Sequence, residues 1–221
     1  MGMNFIRNLI ILLKRRIISS SLFWKLRNYL QPSWIDSYNK KRVPKLYFDI
    51  VSENNILSIL DFGCATGTLL YQLDQNNPNQ ISYGIDVNKD AIDICNNKFK
   101  ESKKQNTKFF FDNEFNLNNL LVFLEKNNLN HFDLMIFDRV LYCLTDEDLN
   151  RLLDSLLNYT KTVLIDDFET TIELETHGYR HRDWKSLLQK YNFKNINNIP
   201  TIYTKVNLAN ARTMFFIKED L

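Results

Sequence analysis

Ile56-Leu57-Ser58-Ile59-Leu60-Asp61-Phe62-Gly63-Cys64-Ala65-Thr66-Gly67 sets a short apolar run against an acid and two closely spaced glycines. Thr68-Leu69-Leu70-Tyr71-Gln72-Leu73 follows at helical spacing, so the stretch predicts a strand, a tight turn and a helix. The same grammar repeats downstream. Ile81–Asp86 precedes a helix over Lys89–Phe99, and Lys108–Asp112 precedes one over Leu117–Leu124. Phe132–Asp138 precedes a helix over Asp146–Asn158, and Thr162–Asp167 makes a fifth strand. Strands alternating with helices predict an α/β fold, with a parallel sheet covered on both faces. The end of the chain differs: a helix over Asp183–Tyr191, then Thr201–Val206 and Thr213–Lys218 with no helix between them. That pattern predicts a closing hairpin, and hence an antiparallel final strand.

Outward from this body, composition sets limits. The chain has 221 residues and a mass of 26.4 kDa, room for one domain with a helical extension. A hydrophobic content of 44% and a charged content of 24% exclude global disorder. Three cysteines (Cys64, Cys95 and Cys143) with no C-x-x-C pair exclude a disulfide framework or zinc ribbon, and suit a reducing cytoplasm. Charge is uneven. Residues 1–50 hold ten Lys/Arg against Asp36 and Asp49, a net +8, which leaves the remaining 171 residues at −6.

Residues 1–45 therefore read as a basic amphipathic arm or cap, and residues 46–221 as the main domain. The arm's longest apolar run, Leu9–Leu13, is cut by Lys14-Arg15-Arg16, too short for a spanning helix or a secretory signal. Ile6, Leu9, Ile10, Leu13 and Ile17 recur at helical spacing, and Leu22, Phe23, Leu26, Tyr29 and Leu30 continue the pattern. Two readings stand for this arm. It packs on its own domain with its charges solvated, or residues 1–18 make a peripheral contact with a membrane surface. The small overall charge gives no reason to expect nucleic acid.

The five strands share a regularity: each ends in a carboxylate, Asp61, Asp86, Asp112, Asp138 and Asp166. Ligands of open α/β sheets bind outside the carboxyl ends of the strands. Three of the five glycines, Gly63, Gly67 and Gly84, fall in the first two units. A helix cap explains one or two such acids, but explains the whole set less well. The loop lacks the third glycine of a dinucleotide fingerprint, and it lacks the lysine and hydroxyl of a P-loop. Asp61, two residues before Gly63, suits a cationic group better than a pyrophosphate. Acid and loop N–H groups together suit a zwitterion.

At these residues the chain resembles a class I S-adenosylmethionine-dependent methyltransferase, over roughly residues 45–220. Asp61-Phe62-Gly63-Cys64-Ala65-Thr66-Gly67 is similar to the family signature D-x-G-x-G-x-G, with Ala65 at the middle glycine as a small change. The resemblance implies that Asp61, Gly63, Ala65 and Gly67 cradle the methyl donor. It implies that Asp86 and Val87 meet the ribose, Asp112 and Asn113 the adenine, and that Asp138, opening Phe137–Tyr142, flanks the reactive methyl. The implied fold is a Rossmann-like, doubly wound, seven-stranded, mostly parallel sheet with a final antiparallel strand, here with an N-terminal helical cap.

Residues that would act on the acceptor in this family sit after strands four and five and in the cap. The segment after strand five carries Asp166, Asp167, Glu169, His177, Tyr179, Arg180, His181 and Arg182, with two of the three histidines of the chain. If an alcohol is methylated, His181 or His177 is the candidate base and Asp167 its orienter. The bland reading is that His181 and Asp183 only open the next helix. Asp138 lies 28 residues before Asp166 and 29 before Asp167, a separation resembling the metal site of catechol-type O-methyltransferases. Arg139 and Val140–Asp148 look instead like metal-independent small-molecule enzymes, so no divalent metal is expected. The expected acceptor is a small molecule methylated on O or N, such as a sugar or lipid-linked intermediate. The alternatives are a protein or nucleic-acid methyltransferase, disfavoured because Asp138-Arg139-Val140-Leu141 lacks the N/D-P-P-[YF] motif, or a non-catalytic donor-binding module recruited through its arm.

Overall fold

The computed structural model describes residues 43–77, 79–101, 106–112, 117–169, 180–201 and 211–219, together with Leu13, Ile17, Leu22, Phe23, Leu26 and Leu30 of the arm. Among the described residues, seven strands form one sheet: β1 (Ser58–Phe62), β2 (Ile81–Asp86), β3 (Thr107–Phe111), β4 (Phe132–Asp138), β5 (Thr160–Phe168), β6 (Phe193–Pro200) and β7 (Ala211–Lys218). Their order is β3-β2-β1-β4-β5-β7-β6. The first five are parallel, and β7 runs antiparallel to both β5 and β6. The chain winds outward from β1 to β3 and then returns to lay β4 beside β1. The reversal opens a crevice at the carboxyl ends of β1 and β4, where ligands bind in such sheets.

Alternate residues of the central strands face opposite sides, and both sides are covered. Leu60, Phe62, Met135, Phe137, Val163, Ile165, Met214 and Phe216 join one core with residues of α4 (Asn118–Lys126), α5 (Asp146–Leu156) and α6 (Trp184–Gln189). Ile59, Leu134, Ile136, Leu164 and Phe215 join the other, with α1 (Lys45–Glu53), α2 (Thr68–Asn76) and Phe99 of α3 (Lys89–Glu101). Val43 is already buried, and its N–H donates to Gln72 Oε1 at 2.9 Å, so the body takes in the last residues assigned to the arm.

The closing hairpin is present, with one correction. The strand that pairs with β7 is Phe193–Pro200, where Thr201–Val206 was expected. Its sequence is rich in asparagine and mostly exposed, as befits an edge strand, so it carries no apolar alternation to read. Residues 202–210 lie outside the described residues.

Candidate active site

The turn after β1 is fastened to β2. The N–H groups of Gly63 and Cys64 donate to Ile85 O at 2.8 and 3.1 Å, and the N–H of Gly67 donates to Cys64 O at 2.9 Å. Gly63 has φ +80, and a Cβ there would come within 2.6 Å of Val140 Cγ2. Only glycine lets the turn after β4 close this tightly on the turn after β1. Ala65 also has a positive φ, 48°. That conformation costs an L-residue roughly 1–2 kcal/mol, so alanine at the middle of the signature is less innocent than its size suggests. It is held by the Asp86 carboxylate, which accepts from Ala65 N at 2.9 Å, and by the Cys95 thiol, which donates to Ala65 O at 3.2 Å.

Asp61 is buried at the end of β1, beneath this turn. Asp86 ends β2 half-exposed; its second oxygen accepts from Asn88 N at 2.8 Å. Desolvation pushes its carboxyl up, against the N–H groups of Asn88, Ala65 and Val87. Three donors leave part of the acceptor capacity of the carboxylate open, which suits a ligand hydroxyl. Val87 is half-buried against the core under α4. Asp112 is buried and accepts from the N–H of Leu117, the residue with φ +60 that precedes α4. Asn113 lies outside the described residues. A half-exposed acid at the tip of β2 beside a buried acid and a glycine turn is a donor set that fits S-adenosylmethionine.

The second half of the site lies at the exits of β4 and β5. Asp138 and Asp166 are register partners. Arg139, with φ +59, donates its N–H to Asp166 O at 2.8 Å and its guanidinium Nε to the Asp166 carboxylate. Its Nη2 donates to Thr201 Oγ1 at 2.7 Å, and the guanidinium lies 5.2 Å from the Phe168 ring centre. Thr201 and Thr213 hydroxyls complete the shell of Asp166. Burial works against the Arg139 cation, but Asp166, Asp167 and Asp138 hold it firmly charged. Burial likewise pushes Asp166 up against the pull of Arg139. Asp167 is fully buried and pushed up to about 7, although the N–H of Phe168, Arg139 and the N–H of Tyr142 all oppose the shift.

His181 stacks on Phe168, ring centres 5.7 Å apart, with Nδ1 3.0 Å from Glu169 O. A carbonyl only accepts, so Nδ1 carries the proton and Nε2 the lone pair. The expected link from Asp167 to His181 is not made: the Asp167 oxygens accept from Tyr142 N at 3.0 Å and Phe168 N at 2.7 Å. The Glu169 carbonyl orients the ring instead. Asp183 does cap α6, accepting from Ser186 N at 3.1 Å. His177 lies outside the described residues.

Arg180 and Arg182, named from the sequence only as part of a polar segment, hold His181 in place. Arg180 donates to Cys143 O at 3.2 Å, and Arg182 to Leu141 O and Leu144 O at 2.9 and 2.8 Å. The two arginines flanking the histidine thus grip the turn Leu141–Cys143 that follows β4, and their spacing around His181 was the available signal. Phe23 belongs to the arm, whose aromatic residues suit covering a pocket and helping to form the acceptor site. Phe23 packs against Tyr142, Cys143, Phe168 and Ala211.

A profile of the family described as "Methyltransferase domain" matches residues 53–209. No curated protein matches the chain by sequence. Among solved structures, magnesium protoporphyrin IX methyltransferase (ChlM) from Synechocystis PCC 6803 with bound SAH aligns with a TM-score of 0.65 at 14% identity, over 90% of this chain and 99% of that one. The methyltransferase domain of bacterial CtHen1-C gives 0.60 at 14% identity, over 80% and 96%. The mitomycin 7-O-methyltransferase MmcR gives 0.56 at 12% identity, over 78% of this chain and 52% of that one. At these identities the structural likeness speaks for the fold, and the family match for the assignment. The chain belongs to the methyltransferase-domain family and is a class I S-adenosylmethionine-dependent methyltransferase.

Proposed function

We propose that the acceptor is a small molecule bearing a hydroxyl or amine, of the sugar or lipid-linked kind, methylated at the exits of β4 and β5. The observation that carries this reading is the placement of His181, oriented by Glu169 O beside the aromatic cluster of Tyr142 and Phe168 that Phe23 covers. S-adenosylmethionine, when bound, supplies a methyl group on a sulfonium. The residues of the chain do the rest: Asp61, Asp86 and the Gly63–Gly67 turn hold the donor, and the Arg139–Asp166 pair keeps the β4 turn in shape. His181 Nε2, enclosed in this structure, takes the proton of the attacking group when the acceptor is bound, while the aromatic cluster excludes water. Alignment of donor and acceptor is worth up to ~7–11 kcal/mol in favourable cases. ChlM and MmcR, similar in fold, are by name methyltransferases of small molecules.

Calorimetry with the purified chain tests the donor site. Replacing Asp86 by alanine is expected to weaken donor binding by roughly 1.5–3 kcal/mol, the scale of hydrogen bonds to a charged group. Unchanged affinity would leave Asp86 only as a fastening for the Ala65 turn.

Supplying labelled donor to an extract and identifying the methylated product by mass spectrometry tests the acceptor. Label found only in protein or nucleic acid would overturn the small-molecule reading. Turnover is expected to survive EDTA, because Asp166 is committed to Arg139 and two threonines, and Asp167 to two backbone N–H groups. Activity lost to EDTA and restored by Mg²⁺ would make Asp138, Asp166 and Asp167 ligands.

A further inference from the structure

We propose that the arm seats the enzyme on an anionic membrane surface through the exposed side chains of Leu13, Ile17, Leu22, Leu26 and Leu30, with the acceptor site beside the bilayer. All five positions are helical, and their side chains are 52%, 52%, 61%, 48% and 72% exposed. They fall at four-residue intervals in two sets, the spacing that aligns side chains on one face of a helix. Five large aliphatic side chains presented to water on one short stretch are far from the scattered singles of an ordinary surface. No helix among the described residues is long and apolar enough to cross a membrane. Lys14-Arg15-Arg16 interrupts the apolar run of the arm, which suits lying on a bilayer.

Charge selects the occupant. Residues 13–30 contain Lys14, Arg15, Arg16, Lys25 and Arg27 and no acid. Two copies of such a stretch repel each other, and nucleic acid offers nothing to the leucines. An anionic lipid surface satisfies both the leucines and the basic residues. The neighbour of Leu22 fixes where this surface lies relative to the site: Leu22 faces outward, while Phe23 packs on Tyr142, Cys143, Phe168 and Ala211. The arm is thus pinned to the exits of β4 and β5, and an amphiphilic acceptor would reach them directly from the lipid. The attachment stands on the arm alone, whereas the orientation rests on the methyl-transfer reading of the site.

Cosedimentation of the full chain with vesicles tests the proposal. The chain is expected to pellet with vesicles of phosphatidylglycerol and phosphatidylcholine, to be released by high salt, and to stay in solution with phosphatidylcholine alone. The combined variant Leu22→Glu, Leu26→Glu, Leu30→Glu, altered only at exposed positions, is expected to bind the anionic vesicles at least about tenfold more weakly, with donor affinity by calorimetry unchanged. A native chain that ignores anionic vesicles, or a triple variant that binds them as well as native, would overturn it. So would a native dimer that the triple variant makes monomeric, which would assign the stripe to a second copy. A native chain that pellets but does not bind the donor would confirm the attachment and overturn the reading of the site.

Discussion

Replacing Asp166 by alanine is expected to destabilise the fold by about 3–5 kcal/mol, read as a lowered urea midpoint at unchanged slope. The carboxylate is fully buried, and the Arg139 side chain beside it is only 12% exposed. Removing the acid leaves a guanidinium at the carboxyl ends of β4 and β5 without its main counterion, and strips Thr201 and Thr213 of their acceptor. Burying an uncompensated cation is far costlier than losing an exposed ion pair. Exchanging both partners for leucine is expected to recover much of the loss, because the apolar pair carries no charge to desolvate. The cycle therefore separates the worth of the pair from the penalty of orphaning one member. A cost near zero for the single substitution would mean that water reaches the pair and that the β4 turn is held by other contacts.

That pair also shows where reading the sequence stops. Strand-end acids and apolar runs were legible because buried parallel strands are apolar on both faces and turn residues punctuate them. The glycine turn was legible because its acid and its spacing are local. Arg139 and Asp166 lie 27 residues apart, and only the parallel register of β4 on β5 brings them together. β6 escaped notice because an exposed edge strand such as Phe193-Lys194-Asn195-Ile196-Asn197-Asn198 needs no apolar period. The five acids looked alike in one dimension and do different work in three. Asp86 braces the Ala65 turn, Asp112 anchors the Leu117 N–H before α4, and Asp166 neutralises Arg139. The partner of His181 was misread for a deeper reason. It is the carbonyl of Glu169, and every residue has a carbonyl.

Replacing His181 by asparagine is expected to lower turnover about 10²–10⁴-fold while leaving donor affinity unchanged, if Nε2 is the general base. Asparagine is the discriminating choice. Its amide nitrogen can stand in for Nδ1 and keep the bond to Glu169 O, so the ring's structural duty survives while the proton acceptor is lost. The surroundings argue that the turn will hold: Arg180 and Arg182 still bind the carbonyls of Cys143, Leu141 and Leu144 on either side. Catalysis by His181 also requires a limb in the pH–rate profile, with activity falling on the acid side as the ring becomes protonated. That limb should vanish in the asparagine variant, a change that a purely structural histidine would not produce. Equal loss in kcat and in donor binding would instead mark His181 as a prop for the Phe168 wall. The base would then have to be sought in the segment that carries His177.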